Sequence, residues 1–270
     1  MSAKSPLITI LTPVLNGAAT ISDNLATVSE LAKDFELEHK VIDGGSNDGT
    51  KKIVEKFNYQ GLEIITGSDQ GLYDAINKGL RHARGMWINV LNSDDRYDVK
   101  GAQEVLSRMR KTSVVRVFHG KARMLCLNGE ETRTLLPVAR KEMGRSIKGP
   151  MHHQTMFIPK AFHDKLGFYN TSFSVAADTD FMYRLIDSGL PIEEYSEISV
   201  EVREGGVSYQ SYDLLTREFL KVHGNRRLDR RIPSLWKYFK SERLRNASFT
   251  PSGRISYWFW AMRVMAGGRG

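Results

Sequence analysis

Cysteine is almost absent from this sequence: Cys126 is the only one among 270 residues. A single thiol excludes a disulfide framework and a cysteine-based zinc site. Long apolar runs are absent too, because no stretch approaches the roughly 18 uninterrupted apolar residues of a membrane-spanning helix. The N-terminus lacks the apolar core of a signal peptide, since Pro13 and Asn16 interrupt its short hydrophobic run. The chain length suits one large domain, or one domain with an appendage.

An excess of positive over negative charge is confined to the C-terminus. Residues 221–270 hold twelve Lys and Arg residues against Asp229 and Glu242, so their net charge is +10. The whole chain carries +8, which leaves the first 220 residues at −2. A body without excess positive charge is not expected to bind nucleic acid.

The N-terminal part alternates between short apolar runs and amphipathic stretches. This order predicts an α/β fold with a mostly parallel sheet and helices on both faces. Strands are predicted at 7–11, 40–43, 62–66, 86–91 and 114–120, with helices at 18–33, 49–57, 71–83 and 98–110. Later in the chain the pattern predicts strands at 152–158 and 197–204 and helices at 177–188 and 208–223.

Acidic residues follow two of the predicted strands. Asp43 ends the second strand, in DGGSNDGT, and the adjacent Asp94 and Asp95 follow the fourth. Ligands bind beyond the carboxyl ends of such strands, and two neighbouring carboxylates favour a hard cation such as Mg²⁺ or Mn²⁺. The alternative is structural, because Ser46 or Asp48 can cap one helix and the NSDD stretch can form an Asx-turn and cap the next.

Three later groups of polar residues also have two explanations. Asp178 and Asp180 precede a predicted helix, where acids are favoured by the helix dipole, yet a carboxylate there can act as a general base. His152 and His153 can be metal ligands, phosphate contacts or core residues. The glycine turn at 204–209 can close over a phosphate or merely reverse the chain.

Five stretches, in this order, resemble the motifs of family 2 glycosyltransferases with the GT-A fold. They are LTPVLNG, VIDGGSNDGT, SDQGLYDAINKGLRHARGMW, LNSDD, and HHQTMF followed by VAADTDFMYRL. The resemblance covers about residues 6–210 and is greatest to bacterial exopolysaccharide transferases of the colanic acid type. It implies a GT-A domain over 1–220, with a nucleotide-sugar half at 1–115 and an acceptor half at 116–220. Residues 221–270 then form a basic, aromatic C-terminal extension that is expected to be helical.

The resemblance also implies roles for individual residues. Asp94 matches the aspartate that holds Mn²⁺ or Mg²⁺ at the donor diphosphate, and Asp178 matches the catalytic base. Two positions depart from the family pattern, since Asn92 stands where the metal motif begins with Asp and Ala177 where a Glu usually precedes the base. The residues matched to the nucleotide or donor are Thr12, Pro13, Asn16, Asp43, Gly45, Asp69, Tyr73, Asn77, Lys78, Asn92, Ser93 and Asp95. His153, Gln154 and Asp180 are expected on the acceptor or phosphate side.

The implied activity is that of an inverting, metal-dependent hexosyltransferase. The expected donor is a nucleoside-diphosphate sugar, a UDP-sugar in the first place, and the expected acceptor is a saccharide, lipid-linked in this subgroup, in surface polysaccharide synthesis. Two alternatives stay open. A nucleotidyltransferase shares the sheet and the metal, but it usually has a basic residue in a glycine-rich loop after the first strand, which LTPVLNGAAT lacks. A catalytically weak, membrane-associated scaffold with the same fold fits the departures at Asn92 and Ala177.

The C-terminal extension mixes cations with aromatic residues. Three of the four tryptophans, Trp236, Trp258 and Trp260, fall within it. Such a mixture suits the surface of an anionic bilayer, and the final apolar stretch of about eleven residues is too short to span one. This predicts a cytoplasmic protein that is peripheral on the inner face of the bacterial cell membrane. The alternative is a helix packed on the domain with a solvated basic face.

Overall fold

The computed structural model describes residues 5–125, 131–135, 152–203 and 212–224, which form a mixed α/β domain. Their strands are β1 (Ile8–Val14), β2 (Leu37–Asp43), β3 (Leu62–Thr66), β4 (Trp87–Val90), β5 (Arg96–Tyr97), β6 (Val117–Leu125), β7 (Glu131–Leu135), β8 (Met156–Pro159) and β9 (Ile192–Arg203). Their helices are α1 (Ile21–Leu31), α2 (Thr50–Val54), α3 (Leu72–His82), α4 (Val99–Lys111), α5 (Lys160–Leu166), α6 (Ala177–Asp187) and α7 (Tyr212–Gly224), with a 3₁₀ turn at His153–Thr155. The predicted alternation of strands and helices is confirmed.

The N-terminal part of the sheet is parallel. β3, β2, β1 and β4 lie side by side in that order. Every residue of β1 and β2 is buried, as expected for parallel strands covered on both faces. Ile76 of α3 and Phe181 of α6 belong to one core, Leu31 of α1 and Val105 of α4 belong to a second, and Leu25 of α1 belongs to a third, smaller one. The carboxyl ends of β1, β2 and β4 therefore meet at the edge where the sequence predicts a ligand.

The C-terminal part makes the sheet mixed. β8 pairs antiparallel with both β4 and β6, and β9 pairs parallel with β6. The predicted strand at 152–158 is wrong in its first half, because His153–Thr155 form a 3₁₀ turn and the strand begins at Met156. The N–H and the hydroxyl of Thr155 both donate to the carbonyl oxygen of His152, at 3.1 and 2.9 Å, and so close this turn.

Other differences concern the bounds of elements: β6 runs from Val117 to Leu125 rather than over 114–120, and β9 begins at Ile192 rather than at residue 197. The predicted helix at 49–57 is shorter, as α2 ends at Val54, and the short elements β5 and α5 were not predicted. The glycine turn at 204–209 and the chain beyond Gly224, including nearly all of the basic extension, lie outside the described residues. None of the helices in the described ranges has the length and apolar character needed to cross a bilayer.

Candidate active site

A cavity of about 500 Å³ opens at the carboxyl ends of β1 and β4. It is built from the loops after these strands, the start of α3, the 3₁₀ turn, the start of α6 and the end of β9. Eleven of the predicted site residues line it: Pro13, Asn16, Asp69, Tyr73, Asn92, Ser93, Asp94, Asp95, His153, Gln154 and Asp178. The structure thus brings Asp94, Asp178 and seven of the twelve residues matched to the donor into one place.

Six predicted site residues do not line the cavity, and two of these hold the core together. The hydroxyl of Thr12 is buried and lies 2.9 Å from Nε2 of His39. The side-chain amide of Asn77 bonds the backbone of Tyr169 twice, with Nδ2 donating at 2.9 Å and Oδ1 accepting at 3.0 Å. Their expected contact with the donor stays a prediction.

Lys78 and Asp180 are engaged on their own helices. Nζ of Lys78 lies 3.3 Å from Oδ2 of Asp74, one turn earlier. Oδ2 of Asp180 accepts a hydrogen bond from Nε of Arg184 at 3.0 Å, one turn later. These i,i+4 pairs engage both side chains on their own helices, and the expected contacts of Lys78 and Asp180 with the substrates stay predictions.

Asp43 and Gly45 shape the loop that follows β2. Oδ1 of Asp43 accepts hydrogen bonds from the backbone N–H groups of Gly45 and Ser46, at 3.1 and 2.8 Å. Gly45 has a φ of 101°, a left-handed conformation that glycine adopts without strain. Asp43 therefore closes a tight turn at the expected edge of the sheet, while its contact with the nucleotide base stays a prediction.

The loop after β1 is tied to this second loop. Asn16 has a φ of 54°, the one positive φ of a residue other than glycine in the described chain. Its N–H donates to Oγ of Ser46 at 2.8 Å, and its Oδ1 accepts from the N–H of Asn47 at 3.0 Å. The N–H groups of the next two residues donate to Thr50 and Asp48. Asp48 also accepts from the N–H of Thr50 at 3.0 Å. The predicted cap by Ser46 or Asp48 is nevertheless wrong, because Gly49 occupies the N-cap position of α2 and no described side chain caps the helix.

The acidic pair after β4 is not used to cap α4. That role belongs to Asp98, whose Oδ1 accepts from the N–H of Gly101 at 3.0 Å. Asp95 is 2% exposed, and burial together with the charge of Asp94 raises its pKa well above the usual range. Burial also raises the pKa of Asp94, although the charges of Arg203 and His153 oppose that rise. Two carboxylates are thus held where both are hard to ionise without a cation.

A divalent cation fits this donor set if the substrate shares in binding it. Among the described residues there is no group of three His, Cys, Asp or Glu side chains that can hold a metal. Mg²⁺-type sites, however, need only one or two carboxylates when phosphates and water complete the coordination. Burial raises the pKa values of Asp94 and Asp95, and a bound cation would favour their ionised forms.

Asn24 positions the acidic loop and has no signal in the sequence. It is fully buried in α1, and its Nδ2 donates to the carbonyl oxygens of Asn92 and Asp95 at 3.0 and 3.1 Å. It stands among the apolar positions that give α1 its helical period, so a periodicity argument treats it as a core residue. Its hydrogen bonds link the first helix to the loop that carries Asp94.

Asp178 lies in the first turn of α6 and is held from several sides. Its Oδ2 lies 3.0 Å from Nδ1 of His153, and its Oδ1 accepts from the hydroxyl of Tyr73 at 3.1 Å and the N–H of Thr179 at 2.7 Å. Burial alone would raise its pKa, but the interaction with His153 and the other hydrogen bonds outweigh burial and lower the pKa. Asp178 is therefore ionised at neutral pH, as a general base must be.

Arg203 was missed by sequence reasoning. It ends β9, lines the cavity, and donates its backbone N–H to Oδ1 of Asp95 at 3.0 Å. Gln154 approaches the other oxygen of Asp95 from the 3₁₀ turn, at 3.4 Å. The end of β9 and the 3₁₀ turn thus both fix Asp95.

Comparison with known proteins gives consistent results. A family model described as "Glycosyl transferase family 2" matches residues 9–162, more than half of the chain. A PGL/p-HBAD biosynthesis glycosyltransferase of Mycobacterium tuberculosis is 29% identical over 225 residues, covering 80% of this chain and 84% of that protein.

Two solved structures have a similar fold. Staphylococcus aureus TarS 1–349 in complex with UDP-GlcNAc gives a TM-score of 0.60 at 19% identity, over 80% of this chain and 66% of that one, just under two thirds of its length. The mannosyltransferase PcManGT from Pyrobaculum calidifontis, in complex with GDP-Man and Mn²⁺, gives 0.61 at 16% identity, over 97% of this chain and 81% of that one. At such identities the likeness shows the fold alone, and it confirms the expected GT-A fold.

Proposed function

This chain belongs to glycosyl transferase family 2, and from that premise we propose that it is an inverting glycosyltransferase. It moves a sugar from a nucleoside-diphosphate sugar to a hydroxyl of a saccharide acceptor. The observation that carries this proposal is the shared cavity, which places the ionised Asp178 and the acidic pair Asp94 and Asp95 around one space of about 500 Å³. A base and a diphosphate-binding end are the two parts that a single displacement needs.

Asp178 acts on the acceptor. Its carboxylate takes the proton of the attacking hydroxyl as the new bond to the anomeric carbon forms. The bond from that carbon to the diphosphate oxygen breaks, and its electron pair leaves with the nucleoside diphosphate. Attack from the opposite face inverts the anomeric configuration, so one base is sufficient. Tyr73 and His153 hold the carboxylate in place through their hydrogen bonds.

Asp94 would hold Mn²⁺ or Mg²⁺, with Asp95 beside it as a donor-side contact. When bound, the cation neutralises negative charge on the diphosphate as a Lewis acid. Asn24 and Gln154 keep the loop and the acidic pair in position. Asn92 cannot contribute a charge, so the charge at this end of the cavity comes from Asp94 and Asp95.

The donor that we propose first is a UDP-sugar. One structural neighbour is complexed with UDP-GlcNAc and another with GDP-Man, so both nucleotides are sensible candidates for this fold. The pair of loops after β1 and β2, joined through Asn16 and Ser46, supports a nucleotide at this end of the cavity. We propose a lipid-linked saccharide as the acceptor and surface polysaccharide synthesis as the setting.

The protein is proposed to work on the cytoplasmic face of the bacterial membrane. The support is the sequence of the C-terminal extension, with its net charge of +10 and its tryptophans. Flotation with anionic liposomes tests this, and a protein that stays in the soluble fraction contradicts it.

Nucleoside diphosphate release from a panel of UDP- and GDP-sugars with Mn²⁺ tests the activity, first by slow hydrolysis and then with saccharide acceptors. Release of UDP or GDP is expected, and NMR of the product should show an inverted anomeric centre. Release of pyrophosphate from a nucleoside triphosphate would instead identify a nucleotidyltransferase. A folded protein that turns over none of the donors would fit the scaffold alternative and contradict the proposal.

A further inference from the structure

Arg203 is the one Arg or Lys among the described residues that line the cavity. Four carboxylates, those of Asp69, Asp94, Asp95 and Asp178, line the same space. The cavity is therefore acidic before any donor enters, and the donor of the proposed reaction adds the negative charges of a diphosphate. Each like charge opposes the next unless cations balance them. A divalent cation at Asp94 would supply part of the balance, and among the described lining residues Arg203 supplies the permanent positive charge.

The backbone of Arg203 is fixed close to the acidic pair. Its N–H donates to Oδ1 of Asp95 at 3.0 Å. Arg203 thus lines the same cavity as Asp94, the residue that would hold the metal.

The side chain of Arg203 is held by a residue outside the cavity lining. Its Nη2 pairs with Oδ2 of Asp23, in the first turn of α1, while Nε and Nη1 have no partner among the described residues. Asp23 is 47% exposed, so this ion pair is only partly shielded from water. Oδ2 of Asp23 also lies 3.6 Å from Nη1 of Arg96. Asp23 therefore keeps a cation beside it when Arg203 moves away.

We propose that Arg203 binds the donor diphosphate, and that Asp23 pairs with the Arg203 guanidinium until a donor binds. Without a donor the guanidinium pairs with Asp23, and with a donor it turns to the diphosphate oxygens. A guanidinium can bind phosphate oxygens through two parallel N–H bonds, whereas a half-exposed ion pair with a carboxylate is weak. The exchange of partners therefore favours the diphosphate. This inference rests on the proposed function, because it takes the diphosphate from that reaction.

Arg203 then contributes to the reaction as well as to binding. As the bond between the anomeric carbon and the diphosphate oxygen breaks, its electron pair stays on that oxygen. A cation already placed at the diphosphate stabilises the charge that develops there. The residue is thus assigned a direct contact with the leaving group, in addition to its backbone bond to Asp95.

The proposal predicts that replacing Arg203 and replacing Asp23 have opposite effects on nucleoside diphosphate binding. Calorimetry with UDP and with GDP, in the presence of Mn²⁺, is carried out on the wild type, Arg203→Gln and Asp23→Asn. Arg203→Gln is expected to weaken nucleoside diphosphate binding about 10- to 100-fold, because it removes a charge-assisted contact. Asp23→Asn is expected to strengthen binding about 2- to 5-fold, because it removes the competing carboxylate. Uridine and guanosine, which carry no phosphate, should bind the wild type and Arg203→Gln alike.

Two further variants keep the result interpretable. Arg108→Gln removes the same charge from an arginine that pairs with Glu197 outside the cavity lining, and it should bind like the wild type. Arg203→Lys keeps the charge but not the planar fork, and it should fall between the wild type and Arg203→Gln. Thermal unfolding confirms that each variant is folded.

Two results would overturn the proposal while leaving the proposed function standing. One is equal diphosphate binding by the wild type and a folded Arg203→Gln. The other is a loss of affinity in Asp23→Asn as large as that in Arg203→Gln, because a purely structural ion pair predicts equal losses. A folded wild type that binds neither UDP nor GDP would overturn the proposed function itself, and this inference with it.

Discussion

The hydroxyl of Tyr73 donates a hydrogen bond to Oδ1 of Asp178 at 3.1 Å. This bond joins α3, whose start lines the cavity, to α6, which carries the proposed base. Tyr73 is 5% exposed, and its ring stacks on Tyr169 with centroids 5.7 Å apart. The orientation of the carboxylate is therefore set by a side chain that is itself packed in the core.

Tyr73→Phe is expected to lower kcat about tenfold and to move the acid limb of its pH profile upward. The Tyr73 hydrogen bond is one of the contacts that lower the pKa of Asp178 against the effect of burial, so its loss raises that pKa. The base then becomes protonated at a higher pH. The measurement is kcat as a function of pH. Tyr169→Phe keeps the stacked ring and the Tyr73 hydrogen bond, and it should leave the profile unchanged.

Asp178→Asn is expected to reduce turnover by about 100-fold or more while the donor still binds. The amide cannot take the acceptor proton, but it keeps the size and most hydrogen bonds of the carboxylate. Steady-state rates and calorimetric donor affinity measure the two effects separately. Asp180→Asn is the matched control, since Asp180 pairs with Arg184 and does not line the cavity. Near wild-type rates in Asp178→Asn, with a loss in Asp180→Asn, would show that the base is misassigned.

Asp94→Ala is expected to remove the effect of Mn²⁺ on nucleotide binding. In the wild type, UDP or GDP should bind more tightly with Mn²⁺ than without it, because carboxylate and phosphate oxygens share the cation. In the variant the two affinities should be equal. Asp98→Ala, which removes the cap of α4, should keep the metal dependence and lose only about 1 kcal/mol of stability. A wild type whose binding does not respond to Mn²⁺ or Mg²⁺ would contradict the metal assignment.

Asn24→Ala is expected to lower the free energy of unfolding by about 1–3 kcal/mol, because two carbonyl oxygens lose their donor. It should also weaken Mn²⁺-dependent nucleotide binding, since the loop that carries Asp94 loses its anchor. Urea denaturation and calorimetry measure the two effects. Gln103→Ala removes an exposed amide that bonds Asp34 at 2.9 Å, and it should change stability by less than about 0.5 kcal/mol. Unchanged nucleotide affinity in Asn24→Ala would show that the loop holds its shape without this residue.

His163→Phe is expected to make the protein less sensitive to acid. Burial lowers the pKa of His163 from 6.5 to about 3, and neither ring nitrogen has a hydrogen-bond partner in the described residues. Between pH 6.5 and about pH 3, His163 of the unfolded chain binds a proton that the folded chain does not. The free energy of unfolding therefore falls as the pH falls. The variant should reduce the loss of unfolding free energy between pH 6.5 and 5 by about 1.6 kcal/mol.

Urea denaturation at several pH values checks this prediction. The phenyl ring can take the place of the imidazole, which stacks on Phe181 with centroids 4.7 Å apart. His82→Gln, at an exposed position, should leave the pH dependence as it is. An unchanged pH dependence in His163→Phe would show that this histidine is not kept neutral by folding.

The sequence was sufficient to predict that Asp43 and Asp94 share an edge of the sheet, because that follows from strand ends in a parallel sheet. It could not separate the capping and ligand explanations of the NSDD stretch, since the start of α4 was uncertain by a residue or more. Once the structure gives the cap to Asp98, the acidic pair is left for another role. Asn24 and Arg203 could not be found, because their hydrogen bonds to the acidic loop depend on tertiary contacts.

The bond between Asp95 and the N–H of Arg203 spans 108 positions of the chain, and β9 reaches it by parallel pairing with β6. Pairing between strands so distant in sequence is slow to form, because the long loop must close first. During synthesis, β1 to β4 leave the ribosome well before β9, so the donor-side loops exist before the cavity is complete. We therefore expect a nascent chain to acquire catalytic competence last, after its sheet has closed. Activity in a refolding experiment should then report on the final folding step rather than on early collapse.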